Sequence, residues 1–155
     1  IQDLRVRSDA KIKSDAGNST AVVGDTIGTV VNFNKEFIDV QSITVSPSGT
    51  TSANAVYDIK DAFETGTYIL SSNSCTVTKT NHGLITGQAV KLFISSGSGV
   101  PGLYTITSYT TNTFTVAMVS ANTSGDVSFY PQSFRVYLFD NSGNRVYSRF
   151  SWAIK

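Results

Sequence analysis

The feature that most constrains this chain is the alternation in its last stretch, Ser133 to Lys155, SFRVYLFDNSGNRVYSRFSWAIK. Phe134, Val136 and Leu138 alternate with Arg135, Tyr137 and Phe139. A turn cluster follows, Asp140-Asn141-Ser142-Gly143-Asn144. Val146, Phe150, Trp152 and Ile154 then share one face, with Tyr147, Arg149, Ser151 and Ala153 on the other. Period-two alternation on both sides of an Asp/Asn/Ser/Gly cluster predicts a β-hairpin. Two strands alone are marginal in water, so side chains this large require a second sheet to cover them.

The rest of the chain has the composition to supply that sheet. Only 15% of the 155 residues are charged, against roughly 25% in ordinary soluble domains. Ser, Thr, Asn and Gly take the place of charge, which suits short strands joined by polar turns. No window carries an apolar stripe at helical spacing, so the expectation is all-β. A formal net charge of +1 gives no basic field for nucleic acid. No apolar run approaches the ~18 residues of a membrane-spanning helix. The opening IQDLRVRSDAKIK lacks the apolar core of a signal peptide and reads as the cut end of a larger protein. The single Cys75 excludes an internal disulfide.

Taken in order, residues 1–16 read as an arm or strand. Leu4, Val6, Ala10 and Ile12 alternate with charged residues, as at a sheet edge or a strand that pairs with another subunit. Residues 20–33 read as β-branched strand with bulges at Gly24 and Gly28. A turn at 34–36, strands at 37–40 and 42–46, a loop at 47–52 and a strand at 55–59 follow. From Gly66 to Tyr130 the only charged residues are Lys79, Lys91 and Asp126. This segment predicts strands at 67–71, 74–79, 89–95, 102–109, 113–119 and 127–130, spaced as in a small antiparallel barrel. The expected architecture is therefore an antiparallel β-sandwich, residues 17–65 plus 131–155, with a small β-barrel, residues 66–130, inserted before the last hairpin.

Reactive groups are sparse. His82 is the only histidine and lies in the turn tripeptide Asn81-His82-Gly83, with Leu84 as a barrel plug. Without a second His or clustered Cys there is no zinc pattern. Cys75 sits in an alternating strand and reads as a small buried hydrophobe. Ser8-Asp9-Ala10-Lys11 matches S-x-x-K formally but lacks the helix and partner motifs that chemistry needs. Gly97-Ser98-Gly99-Val100-Pro101-Gly102 is glycine-rich, yet no Lys-Ser/Thr and no helix follow, so it predicts a long hairpin loop and no phosphate cradle. Asp58, Asp61 and Glu64 form either a solvated charge cluster or, with Asp126 or Asp140, a cation site. No pair of carboxylates stands out for glycoside hydrolysis. The expectation is no catalytic residue, no metal and no cofactor.

Two stretches resemble known families. VVNFNKEFIDVQSITVSPSGTTSANAVYDI and FRVYLFDNSGNRVYSRFSWAIK resemble the C-terminal region of lambda-type phage host-specificity proteins, the central fibre of the tail tip. The family patterns VxFxxxFxxVxxITVxP and FxVxxFDxxGxRVxxxFxWxxxG are met by Phe33, Phe37, Val40, Ile43, Val45, Phe134, Phe139, Asp140, Gly143, Arg145, Val146, Phe150 and Trp152. The glycine that closes the second pattern is missing here. CTVTKTNHGLITGQAVKLFISSGSGVPGLYTITSYTTNTFTV is similar to a small β-module recurrent in phage structural proteins, which has no defined activity. The resemblance implies a virion component at the tail tip, a homotrimer contacting other tail-tip proteins, and attachment to a host cell-surface receptor, an outer-membrane protein or a glycan. Leu4, Val6, Ile12, Phe33 and Phe37 are then candidates for core or inter-subunit contact.

Binding also suits the composition of the insert. Tyr among small polar residues makes adaptable recognition surfaces. The expected receptor-binding residues are Ser98, Val100, Pro101, Tyr104, Tyr109 and Asn112, although Tyr104 and Tyr109 equally fit ordinary barrel-wall positions. Two other classes stay open: a carbohydrate-binding, lectin-like β-sandwich module, and, with least support, a hydrolase.

Overall fold

The computed structural model describes residues 14–23, 27–37, 40, 42–49, 54–59 and 63–155. Residues 1–13 of the predicted N-terminal arm, with the S-x-x-K stretch, and Gly24 and Asp61 lie outside them. The described residues are all-β, with no helix. The strands are β1 (Asp15–Thr20), β2 (Thr29–Asn32), β3 (Ile43–Pro47), β4 (Asn54–Asp58), β5 (Glu64–Ser71), β6 (Ser74–Thr78), β7 (Ala89–Ile94), β8 (Gly102–Tyr109), β9 (Thr113–Ala117), β10 (Thr123–Pro131), β11 (Ser133–Phe139), β12 (Arg145–Val146) and β13 (Arg149–Ile154). The backbone divides into two compact units. One comes from Ile1–Asp58 and Arg135–Lys155, the other from Ile59–Phe134.

The first unit is an antiparallel sandwich of two sheets. One has the order β1-β13-β3; the other is β12-β11-β2, with β4 also paired to β11. Alternation dictates the core. Val136, Leu138, Phe150, Trp152 and Ile154 are buried, while Arg149 and Ala153 between them are exposed. Burying each such large side chain contributes about 1.5–3 kcal/mol. Phe37 is buried and meets half-buried Phe33 edge-on, ring centroids 5.6 Å apart.

The terminal hairpin is shorter than its alternation predicts. β12 pairs with β11 only at Leu138↔Val146 and Phe139↔Arg145. The chain then crosses to the other sheet, where β13 pairs with β1 and β3. Alternation continues across Tyr147-Ser148 because either sheet of a sandwich buries one side chain in two. The turn itself is as read: the Asp140 carboxylate accepts the Ser142 and Asn144 backbone N–H groups, each at 2.9 Å, and Gly143 takes φ 81°.

Two other expectations are corrected. Residues 20–33 do not form one strand: β1 ends at Thr20, and β2 begins after Gly28, whose φ of 90° breaks an extended run. Val22 and Val23 between them are exposed. A continuous strand at Asp15–Thr20 was not predicted: the arm was expected to end at 16 and the next strand to begin at 20. Its Gly17 stands opposite Trp152 in register, and a Cβ there would lie 2.9 Å from the indole Nε1. Buried Asp15 accepts the backbone N–H groups of Asn34 and Lys35, which fixes the turn that the sequence places there.

The second unit is a closed barrel, β10-β5-β6-β9-β8-β7, antiparallel throughout, with β7 pairing β10 to close it. Inward residues alternate along each strand and fill the interior: Tyr68, Leu70, Cys75, Val77, Val90, Leu92, Ile106, Phe114, Val116, Val127 and Phe129. Leu84, from the β6–β7 connection, joins that core as the sequence predicts. The barrel lies in the chain between β4 and β11, two strands paired antiparallel from Arg135↔Asp58 to Phe139↔Asn54. Its strands extend past the predicted limits of 66 and 130, from Glu64 to Pro131.

Candidate functional site

Antiparallel order puts alternate connections at the same end of the barrel. The β5–β6 turn, the β7–β8 loop and the β9–β10 loop therefore share one rim. Their residues are Ser71–Ser74, Ser95–Pro101 and Met118–Ser124, and none is charged. Ser72 and Asn73 both have positive φ, 52° and 61°, the backbone of a two-residue hairpin turn whose twist matches the flanking strands.

The long β7–β8 loop is held from beneath. Tyr68 is buried on β5, and its hydroxyl reaches the rim, donating to the Ser96 carbonyl at 3.0 Å and accepting the Gly99 N–H at 2.9 Å. The glycines follow from that approach. A Cβ on Gly97 would lie 2.4 Å from the Tyr68 hydroxyl, and one on Gly125 would lie 2.2 Å from the Ser96 carbonyl oxygen. Ser98 N–H donates to Thr123 Oγ1 at 3.1 Å, and Ser120 Oγ donates to the Ser98 carbonyl at 3.3 Å. Val100 N–H meets Met118 Sδ at 3.4 Å, and the Tyr104 hydroxyl donates to the Val100 carbonyl at 2.7 Å. Burial, and to a lesser degree nearby Cys75, pushes the Tyr104 phenol upward, so it stays a donor. Ser72 N–H to Asn122 Oδ1 and Met118 N–H to the Asn73 carbonyl, each 3.0 Å, join the other two loops. These bonds spend the rim's backbone groups internally and leave Val100 (44% exposed) and Val119 (82% exposed) projecting.

Of the six expected residues, the rim collects Ser98, Val100, Pro101 and Tyr104. Tyr109 and Asn112 are at the opposite end, because β8 runs the barrel's length, roughly 23 Å for eight residues. Asn112 there has a structural occupation: its Oδ1 accepts the Asn81 N–H at 3.1 Å and its carbonyl accepts the Lys79 N–H at 2.8 Å. Sequence reasoning missed Asn73, Val119, Ser120 and Asn122 as rim residues. The signal was available in the antiparallel parity, which sends the β5–β6 and β9–β10 turns to the same end as the glycine-rich loop.

The reactive groups are occupied by the fold. His82 is buried; its Nε2 donates to the Thr113 carbonyl at 2.8 Å, which leaves Nδ1 to accept the Leu84 N–H at 3.0 Å. Its ring meets Phe114 edge-on at 5.3 Å. Burial pushes the Cys75 thiol up to about 11, so it stays protonated at neutral pH. Asp58 pairs with Arg135 at 2.9 Å and Glu64 with Lys79 at 3.4 Å. No group of three or more His, Cys, Asp or Glu that could hold a metal occurs among the described residues.

No family model matches the chain, and no curated protein matches it. Among solved structures it is similar to Phage phi92 endosialidase, at 24% identity and a TM-score of 0.35. The likeness covers 63% of this chain and 15% of that one, so the chain spans a small part of that protein's length.

Proposed function

We propose that this chain is a non-enzymatic module of a phage tail-tip fibre, carried on the virion, that displays the barrel rim to a host cell-surface receptor. The observation that carries the reading is the rim itself: three uncharged loops, fixed by their own hydrogen bonds, with Val100 and Val119 projecting from them. A surface ordered before contact loses little conformational entropy on binding. The resemblance of the terminal segment to lambda-type host-specificity proteins supports the tail-tip assignment. With it come a homotrimer and contacts with other tail-tip proteins, and a receptor that is an outer-membrane protein or a glycan.

The test is cell binding by the purified chain, with its molar mass measured in parallel by light scattering. Val119→Asp and Val100→Asp place charge on the rim without touching the core. Each is expected to cut binding to host cells at least tenfold with an unchanged melting temperature. Three times 16.6 kDa is the expected mass. Rim variants that bind as tightly as the parent would sink the rim assignment, and hydrolysis of host glycans by the chain would sink the non-enzymatic one.

A further inference from the structure

The sandwich carries a second, chemically different surface. Arg145 stands opposite Phe139 in the short β11–β12 ladder. Its guanidinium carbon lies 4.9 Å from the Tyr137 ring centroid, 5.4 Å from that of Tyr147 and 5.9 Å from that of Phe139. Nε and Nη2 are enclosed and have no hydrogen-bond acceptor. Arg145 as a whole remains partly exposed, so Nη1 is the guanidinium's outlet to solvent.

The outward face of a sandwich sheet is ordinarily polar. This one presents three half-buried rings around an uncompensated cation, beside exposed Val56, which stands opposite Tyr137 in register. Among the described residues, the neighbouring acids have other partners. Asp58 pairs with Arg135, and Asp140 serves its own turn. Among the other described acids, Asp15, Glu64 and Asp126 also have partners within the chain. A planar, weakly hydrated guanidinium stacked on rings is already immobilised. What complements it is a carboxylate attached to a body with an apolar face that can lie on aromatic rings.

We propose that Arg145, framed by Tyr137, Phe139 and Tyr147, is a binding site for a uronic acid residue of an acidic polysaccharide. The sugar's carboxylate pairs with Nη1 and its C–H face packs on the exposed ring surface. The site is independent of the barrel rim, and either can fail without the other.

The experiment is NMR titration of the intact chain with oligogalacturonate, using the fully methyl-esterified oligomer as a control of the same shape without charge. Saturable shifts of the Arg145 side-chain Nε–H are expected with the acid, with the ester binding at least tenfold more weakly. Arg145→Lys keeps the charge but loses the stacked plane, and is expected to weaken binding at least fivefold. Val119→Asp is expected to leave the titration unchanged. Equal binding of ester and acid, or no Arg145 shift in the parent chain, would overturn the proposal, and both are read without any variant having to fold. Hexaglutamate binding as tightly as the sugar would overturn it in favour of an acidic peptide.

Discussion

The Tyr68 hydroxyl links the barrel core to two residues of the glycine-rich loop, and its removal is a graded test of how the rim is ordered. Tyr68→Phe keeps the buried ring and deletes the two hydrogen bonds to Ser96 and Gly99. At about 0.5–1.5 kcal/mol net for each bond the loss spans about 1–3 kcal/mol. Ser96 is exposed and Gly99 half-buried, so water reaches both orphaned groups and the loss falls in the lower part, about 1–2 kcal/mol. For a chain of this length that lowers Tm by roughly 2–8 °C. Thermal melting followed by circular dichroism measures it, and amide hydrogen exchange at Gly99 locates it. The Gly99 amide is expected to lose protection while Leu70 and Val77 keep theirs. A Tyr68→Phe chain that melts with the parent and protects Gly99 equally would refute the reasoning.

Three further outcomes are expected. Gly125→Ala drives a Cβ to 2.2 Å from the Ser96 carbonyl oxygen and should cost about 1–3 kcal/mol through overpacking, read from urea denaturation. His82→Ala removes two side-chain hydrogen bonds to backbone groups, one buried and one part-buried, and an edge contact with Phe114, for a loss of about 2–4 kcal/mol in the same assay. Asp140 is held below its ordinary carboxyl value by the backbone N–H of Asn144, then by Ser142, the Asn144 side chain and Gly143. A pKa lower in the folded state means that this stabilisation is present above the unfolded value of about 3.8 and disappears as the pH falls through the folded one. Asp140→Asn should therefore flatten the acid limb of a Tm-against-pH curve while leaving its neutral region nearly parallel.

What was legible in the sequence is what local alternation encodes. Ser74–Thr78 and Thr113–Ala117 bury every second residue in a closed barrel, and the points where they begin follow from it. Non-local pairing was not legible. Asp15–Thr20 has poor strand-forming residues and is a strand because β13 offers it an edge and Trp152 needs the space above Gly17. The sheet change after Val146 leaves no local mark, since the same alternation serves both sheets. The candidate site was half legible for the same reason. Tyr104 and Tyr109 are close in sequence, yet an extended strand separates them by most of the barrel's length. Val119 and Asn73 are far from the glycine-rich loop in sequence but are brought beside it by antiparallel parity.

The insertion between β4 and β11 also sets an order of events in folding. Arg135 and Asp58 pair across a sequence separation of 77 residues. Closing a flexible loop of that size costs about 4 kcal/mol of chain entropy before the first β4–β11 bond forms. In the folded barrel, the entering strand β5 and the leaving strand β10 lie side by side, Glu64 opposite Phe129. Most of the intervening chain then no longer contributes to the loop. The barrel is thus expected to form first, with the β4–β11 ladder as its kinetic dependant: in stopped-flow refolding, slowing barrel closure should delay the sandwich, whereas a defect in β4 should leave barrel formation at its own rate.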